Sequence, residues 1–289
     1  MDLIYYKERI RRFEEDYQKK YFKDKKLLAL FIFLHLILVL LCVILYEVVK
    51  SNLFFLISLF IIASIFLISQ YIKIYKFYVK SNEEFIKLIF SIINEEKEVE
   101  ITRKNKDEEY AQVKSTRLIN SSDSVSIKYA YDYQLDNSNG TVFLLNASRS
   151  NGKAQQTILD GMLIHFKTDS NYDFVLRNDS FEMEKGKKAK NLSTRDCNVF
   201  FSKDKFKDDL GNSITLTISP LIIKKYELIK KYTKNILAID FNNSDVFVYL
   251  DKKLEIRIPK QFTQKNIEAL INDIVKFVET AKEINNIIE

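Results

Sequence analysis

The sequence predicts an α+β protein with an N-terminal transmembrane helical hairpin that has cytosolic helical extensions. A mostly antiparallel sheet domain with a C-terminal helix follows. Two uncharged runs of 20 residues, Leu27 to Tyr46 and Leu53 to Ile72, stand near the start of the chain. Short runs rich in β-branched and aromatic residues recur from Val125 to Leu250, as in strands. After Thr263 apolar residues recur at helical spacing to the end, which predicts the last helix.

Each uncharged run is long enough to cross the membrane, since a helix needs about 20 residues to span roughly 30 Å of hydrocarbon. We therefore expect transmembrane helices at residues 27–49 and 53–73. His35 lies inside the first span, and an ionisable residue there is a functional candidate by default. We favour a neutral His35 that is hydrogen-bonded to Ser58 or Ser64 of the other span.

Basic residues flank the hairpin on one side only. Nine Lys or Arg residues precede Leu27, whereas the link between the spans carries Lys50 alone. Lys73, Lys76 and Lys80 follow the second span. The positive-inside rule therefore predicts a multi-pass membrane protein with both termini in the cytoplasm.

Two helical extensions are predicted on the cytoplasmic side, an amphipathic helix at residues 1–26 and a continuation of the second span at residues 74–97. Each carries an apolar seam typical of a coiled coil. In an antiparallel pair, positions whose numbers sum to about 99 face each other, which sets Ile10 near Ile89 and Phe13 near Phe85 or Ile86. The same register sets Tyr17 near Asn82. The alternative is a first helix that lies flat on the anionic leaflet.

Residues 98–289 are predicted to form a cytosolic α+β domain, and a linker begins in the charged stretch from Glu95 to Tyr110. Pro220 opens one short helix with Ser219 as its N-cap. Gly161 lies inside an apolar strand pattern, which indicates a bulge or a close backbone approach. The predicted strands are Val125 to Tyr133, Thr141 to Leu145, Met162 to Phe166, Tyr172 to Leu176, Val199 to Ser202, Ile214 to Ile218, Ile236 to Phe241 and Val246 to Leu250.

Part of the chain, from about Thr157 to Ile288, resembles the bacterial domain-of-unknown-function 3137 family. The resemblance rests on four segments: Leu159-Asp160-Gly161-Met162-Leu163-Ile164, Asp179-Ser180-Phe181-Glu182, Asn198-Val199-Phe200-Phe201-Ser202 and Leu216-Thr217-Ile218-Ser219-Pro220. It implies two membrane spans ahead of a cytosolic mixed domain, in a bacterial cell membrane. It implies no activity and no catalytic or binding residues.

Composition and motifs exclude several classes of function. The net charge of +6 arises from 45 basic and 39 acidic residues, which is a mixed surface that does not indicate nucleic acid binding. The two histidines and two cysteines have no ligand or triad spacing, so we expect no metal site and no cofactor. We interpret His165 as a structural or surface residue. No standard nucleotide-binding or hydrolase motif is present, and we name no catalytic residue.

The leading hypothesis is a membrane-anchored, non-enzymatic binding or scaffold module whose partners are the lipid bilayer and either another protein or a second copy of the chain. One alternative is a membrane-tethered hydrolase or transferase of unfamiliar type that uses carboxylates such as Asp160, Asp179 and Glu182. A transporter or channel subunit is a weaker third hypothesis, since the spans carry no charged residue. The candidate structural or interaction residues are Gly161, Pro220, Ile10, Phe13, Phe85, Ile89 and His35.

Overall fold

A computed structural model of the chain describes residues 3–49, 53–97, 99–104, 106–119, 122–136, 138–150, 155–178, 186–190, 192–193, 197–202, 205 and 216–289. The helices are α1 (Leu3–Val49), α2 (Leu53–Lys97), α3 (Lys106–Ser115), α4 (Pro220–Lys230) and α5 (Gln264–Ile288), with a 3-10 turn at Arg117–Ile119. The strands are β1 (Glu100–Arg103), β2 (Ser124–Leu135), β3 (Ser138–Ser150), β4 (Gln155–Arg177), β5 (Gly186–Lys188), β6 (Asn198–Ser202) and β7 (Leu237–Leu250). The predicted α+β class is confirmed.

The chain divides into two compact units. The helical unit combines Met1–Ile89 with the later segment Arg257–Ile267, and the sheet unit combines Phe90–Ile256 with Glu268–Glu289. The second unit therefore begins before residue 98, and residues 257–267 belong with the helices.

In the helical unit, α1 and α2 pair side by side in antiparallel fashion. Half-buried positions of α1 recur at steps of four and three, which is the spacing of a coiled-coil seam; these positions are Tyr17, Tyr21, Asp24, Leu28, Phe31 and His35. The ring of Phe13 lies 5.5 Å from that of Phe85, as the sequence predicts. Tyr21 contacts Tyr78 at 6.5 Å between ring centroids, and Phe31 contacts Phe66 at 4.7 Å.

The segment Arg257–Ile267 adds a third element to this helix pair. Phe262 lies 6.2 Å from Phe13 and 6.0 Å from Phe85, measured between ring centroids. The backbone N–H of Ile258 donates to Asn82 Oδ1 at 2.9 Å. Tyr17, predicted near Asn82, has its ring against Phe77 and Phe262. The sequence gives no signal for this docking because the segment has no regular periodicity.

Among the described residues, one helix is long and apolar enough to cross a membrane, the part of α2 from Phe60 to Glu96, and its apolar window is not buried. Length and composition alone are weak evidence for a span. The predicted hydrogen bond from His35 to Ser64 is not present in the described chain, where its Nδ1 has no partner; its ring lies 4.9 Å from that of Phe60. The side chain of Ser58 falls outside the described residues.

The sheet unit is built on one seven-stranded antiparallel sheet. The strands follow the order β1-β2-β3-β4-β6-β5, and β7 pairs with the remaining edge of β4. One edge of β4 pairs with β3 and then with β6, while the other edge pairs with β7 along most of its length. β4 is therefore the central strand, buried along most of its course.

Two pairs of predicted strands turn out to be single strands. Met162 to Phe166 and Tyr172 to Leu176 are parts of β4, and Ile236 to Phe241 joins Val246 to Leu250 in β7. The polar residues that separate the predicted pieces of β4 lie beside those that separate the pieces of β7. The pairing register of the two strands shifts at this point, between Lys167 and Tyr172. Paired backbones absorb such a break as a bulge, so polarity alone does not end either strand.

Two further expectations are wrong. The predicted linker from Glu95 to Tyr110 contains the end of α2, all of β1 and the start of α3. It folds because β1 adds to the edge of β2 and α3 places Val113 in the core. Ile214 lies outside the described residues, and the described part of that predicted strand, Leu216 to Ile218, forms no strand pairing.

The predictions for Pro220, Ser219 and Gly161 agree with the structure. Ser219 caps α4 by accepting from the N–H of Leu221 at 3.3 Å, with Pro220 as the first helical residue. A Cβ on Gly161 would press on the carbonyl oxygen of Leu250 in β7 and lie 3.2 Å from Asp251 Cα. The close backbone approach therefore requires glycine.

Candidate ligand pocket on the sheet

Polar side chains form a strip across four strands at one end of one sheet face. Thr102, Asp132, Thr141 and His165 are successive cross-strand neighbours on β1, β2, β3 and β4. Because alternate residues of a strand share a face, a second row on that face contains Glu100, Gln134, Asn139 and Lys167. We call these two rows the polar strip.

An open cavity of about 340 Å³ lies over the polar strip, and Gln112 of α3 forms part of its wall. Next to the strip, the same face is apolar and is covered by Val113, Leu118 and Ile119 of α3 and the following turn. The cavity therefore begins where α3 stops covering the sheet. Its size suits a small polar molecule or a few side chains of a peptide.

His165 stands at the border between the apolar face and the cavity. Its Nε2 is 2.8 Å from Asp245 Oδ1 on β7, and its Nδ1 is hydrogen-bonded to the side-chain amide of Gln112. Burial lowers the pKa of His165, although its hydrogen bond to the Asp245 carboxylate raises it in part. A neutral ring that donates from Nε2 to Asp245 and accepts at Nδ1 from Gln112 satisfies both nitrogens.

A second polar group lies beside His165 on the strip. Thr141 Oγ1 donates to Asp132 Oδ1 at 2.6 Å. Lys104 Nζ reaches the same carboxylate oxygen at 3.3 Å and Thr141 Oγ1 at 3.4 Å. The Thr141 side chain is buried, so its hydroxyl is held by protein groups rather than by bulk water.

The wall formed by α3 is attached to the sheet by a buried ion pair just after the helix ends. Arg117 donates from Nε and Nη2 to Asp240 Oδ1 at 2.8 and 2.6 Å. The other oxygen of Asp240 accepts from Thr116 Oγ1 at 2.8 Å and from the N–H of Arg117 at 2.6 Å. Arg117 Nη1 also pairs with Asp173 at 2.5 Å. These bonds fix α3, and with it Gln112, over the sheet.

The arrangement favours binding over proton transfer. His165 presents neither ring nitrogen to the cavity as a free base, because both are already bonded. Gln112 Oε1 is buried and has no hydrogen-bond partner in the described chain, while its amide nitrogen is engaged by His165. A buried acceptor without a partner is costly, but because this oxygen is buried, a ligand in the cavity could donate to it only if the Gln112 side chain turned toward the cavity.

None of the candidate residues named from sequence lines this cavity. Phe13, Phe85, Ile10, Ile89 and His35 all belong to the helical unit. Gly161 and Pro220 are structural positions of the sheet unit, as described above.

Asp160, the one carboxylate of the hydrolase hypothesis among the described residues, does not line the cavity either. Asp160 pairs with Lys253 and, at 3.7 Å, with Lys128. Partial burial raises the pKa of Asp160, but its hydrogen bonds from Lys253 and Asn146 outweigh this and lower it. Asp179 and Glu182 fall outside the described residues.

Sequence reasoning missed the partners of His165. Asp245 is 80 residues away along the chain and Gln112 lies just past the predicted linker from Glu95 to Tyr110, so no local spacing links them. The available signal was the alternation of polar residues along β2 and β3, at Asp132 and Gln134 and at Asn139 and Thr141. Comparison of the chain with protein-family models, with curated proteins and with solved structures finds no match.

Proposed function

We propose that the protein is a membrane-anchored, non-enzymatic module of the bacterial cell membrane, in which α1 and α2 form the anchor and the sheet unit binds a ligand or protein partner. The proposal includes two spans and both termini in the cytoplasm. The assignment to a bacterial membrane rests on the resemblance to the domain-of-unknown-function 3137 family, which is part of the proposal.

The observation that carries the anchor is an apolar belt on both helices. It comprises the exposed large apolar side chains Leu27, Leu30, Ile32, Phe33, Leu34, Leu36, Ile37, Leu40, Phe60, Ile61, Ile62, Ile65, Phe66, Ile68 and Ile72. Leu36 is 61% exposed and Ile62 is 67% exposed. A soluble protein rarely exposes so large a contiguous apolar surface, and the hydrocarbon of a bilayer would cover it.

Membrane extraction tests the anchor directly. The full chain should stay in the membrane pellet after an alkaline carbonate wash and leave it only with detergent. The matched control replaces four outward-facing belt residues, Leu36→Lys, Leu40→Lys, Ile62→Lys and Ile65→Lys. Because a charge at the centre of a span costs about 2.5–3.5 kcal/mol on the insertion scale, this variant should be released. Release of the unaltered chain by carbonate would refute the proposal.

Thiol labelling tests the orientation. A cysteine introduced at Ser51, a position outside the described residues, should react with an impermeant reagent added to intact cells. Native Cys197 is a poor internal control, because it is buried and burial raises the pKa of its thiol to about 12. Lys224, exposed on α4, is a better site: Lys224→Cys should be labelled only after the cells are opened. Labelling of Lys224→Cys in intact cells would contradict the topology.

The cavity over the polar strip supports the binding role of the sheet unit. Hydrogen-bonding side chains from four strands and from α3 line this cavity. Hydrogen bonds hold His165 to Gln112 and to Asp245. The hypothesis of a carboxylate hydrolase has less support, because the Asp160 carboxylate already forms ion pairs with Lys128 and Lys253. Crosslinking with mass spectrometry in native membranes tests the binding role, and crosslinks from Lys167 to one partner protein are the expected result. Absence of any reproducible crosslink to the strip would count against a protein partner.

A further inference from the structure

Two rows of lysines lie directly beside the apolar belt. On α1, Lys19, Lys23 and Lys26 are separated by four and three residues, so they share one face of the helix. On α2, Lys73, Lys76 and Lys80 are separated by three and four residues and share a face in the same way. All six are exposed. We call them the basic collar.

The helix pairing brings both rows to the same level. The contact between Tyr21 and Tyr78 fixes the antiparallel register, so that Lys23 of α1 lies level with Lys76 of α2. Lys26 with Lys73, and Lys19 with Lys80, then stand about one turn to either side. Seven residues of helix rise about 10 Å, so the collar is a narrow band at the edge of the belt.

Few of the described acidic residues lie near the lysines of the collar. Between Lys19 and Lys26 there is one acidic residue, Asp24, and between Lys73 and Lys80 there is none. In the described part of the chain, no carboxylate lies within ion-pair distance of Lys19, Lys23, Lys26, Lys73 or Lys76, and Lys80 is 3.9 Å from Glu84.

The neighbouring lysines differ from the collar because aromatic rings hold them. Lys20 Nζ is 4.5 Å from the centroid of Phe77, and Lys25 Nζ is 4.7 Å from that of Tyr21. Cation–π contacts of this kind engage Lys20 and Lys25, whereas the collar lysines other than Lys80 have no ion-pair partner in the described chain.

We propose that the basic collar is a binding site for anionic phospholipid headgroups, which makes the anchor selective for negatively charged lipid. The site rests on the proposed membrane anchor. A lipid is the occupant, rather than a free phosphate, because the lysines border the belt at the depth where headgroups lie when acyl chains cover the belt. A lysine near an anionic surface contributes about 1 kcal/mol, which corresponds to roughly a fivefold preference for an anionic headgroup that pairs with one lysine of the collar.

Spin-labelled lipids in vesicles test the proposal. The full chain is reconstituted in vesicles of about three parts phosphatidylcholine to one part phosphatidylglycerol, and the motionally restricted fraction of each labelled lipid is measured by electron spin resonance. We expect phosphatidylglycerol to be enriched about fivefold over phosphatidylcholine next to the protein, and the enrichment to fall as salt is raised. Added inorganic phosphate at equal ionic strength should compete no better than chloride.

The decisive variant replaces the six collar lysines with glutamine: Lys19→Gln, Lys23→Gln, Lys26→Gln, Lys73→Gln, Lys76→Gln and Lys80→Gln. Its matched control carries the same change of charge on six lysines outside the collar: Lys188→Gln, Lys190→Gln, Lys224→Gln, Lys234→Gln, Lys260→Gln and Lys265→Gln, all of them exposed. The collar variant should lose the enrichment and the control should keep it. The smaller variant Lys26→Gln with Lys73→Gln should lose part of it, should the larger one not reconstitute.

Three outcomes overturn the proposal. Equal restriction of both lipids by the unaltered chain would show that the anchor does not select anionic lipid. Equal behaviour of the collar and control variants would show that net charge, not the collar, is responsible, and competition by inorganic phosphate would show a general anion site. Failure of the chain to remain with vesicles after the carbonate wash would instead refute the membrane anchor itself.

Discussion

Substitution of Arg117 by methionine should destabilise the sheet unit strongly, because it leaves the carboxylate of Asp240 buried without its charge partner. Asp240 is fully buried and accepts four hydrogen bonds, two of them from the Arg117 guanidinium at 2.8 and 2.6 Å. Removing one member of a buried ion pair costs about 3–5 kcal/mol. At about 2–4 °C of melting temperature per kcal/mol for a domain of this size, the expected loss is about 6–20 °C.

The measurement is thermal unfolding of the detergent-solubilised full chain, followed by near-ultraviolet circular dichroism. The control is Lys282→Met, which breaks the pair between Lys282 and Asp136, a residue that remains largely exposed. Exposed pairs contribute at most about 1 kcal/mol, so this variant should melt within about 4 °C of the unaltered chain.

A double variant separates charge burial from simple loss of packing. Arg117→Met combined with Asp240→Asn removes the uncompensated charge, so it should regain part of the melting temperature lost by Arg117→Met alone. If Arg117→Met melts no lower than Lys282→Met, the ion pair does not hold α3 on the sheet. The inference that it positions Gln112 over the cavity would then be wrong.

Three further predictions follow from the same packing. Gly161→Val should lower the free energy of unfolding by about 1–3 kcal/mol, as overpacking does, because its side chain meets the Leu250 carbonyl; an unchanged urea midpoint would show an open site. Since the pKa of His165 is lowered in the folded protein, the unfolded chain binds more protons below about pH 6.5, so stability should fall as pH drops from 7.5 to 5.5. His165→Gln should flatten this dependence, and equal slopes would contradict the assignment. In a background without the native cysteines, Ile10→Cys and Ile89→Cys should form an intramolecular disulfide under mild oxidant; if they do not, while cysteines at Tyr6 and Phe13 are shielded by lipid, a surface-lying first helix is favoured instead.

The helical unit was largely predictable because its signals are local. Apolar residues that recur every three and four positions predict the seam that contains Phe13 and Phe85. The antiparallel register follows from the short link between the two helices. The docking of Phe262 between them could not be predicted. Its segment lies more than 170 residues from Asn82 along the chain, and a single aromatic residue in an irregular stretch has no pattern of its own.

The sheet unit was predictable in class and less so in its boundaries. Runs of β-branched and aromatic residues located β2, β3 and β6, and Ser219 with Pro220 located the start of α4. The polar residues in the middle of β4 and of β7 lead us to predict two short strands in place of each. In the structure both strands continue through these residues, and their pairing shifts there as a bulge. The stretch Glu95 to Tyr110, just before Gln112, is predicted to be a linker because its many charged residues outnumber its buried apolar residues, Val99 and Ile101.

Local patterns in the sequence were sufficient to predict the α+β class, the two uncharged runs, the seam of the helix pair and the close backbone approach at Gly161, because each depends on near neighbours or on one alternating pattern. The polar strip and its hydrogen-bond partners became evident only once the strands and α3 were placed in three dimensions. His165, Gln112 and Asp245 come from separate elements, as do Arg117 and Asp240, and their meeting depends on the strand order and on where α3 ends. Hydrogen bonds between such distant residues exist only after the sheet has formed, so no local spacing encodes them.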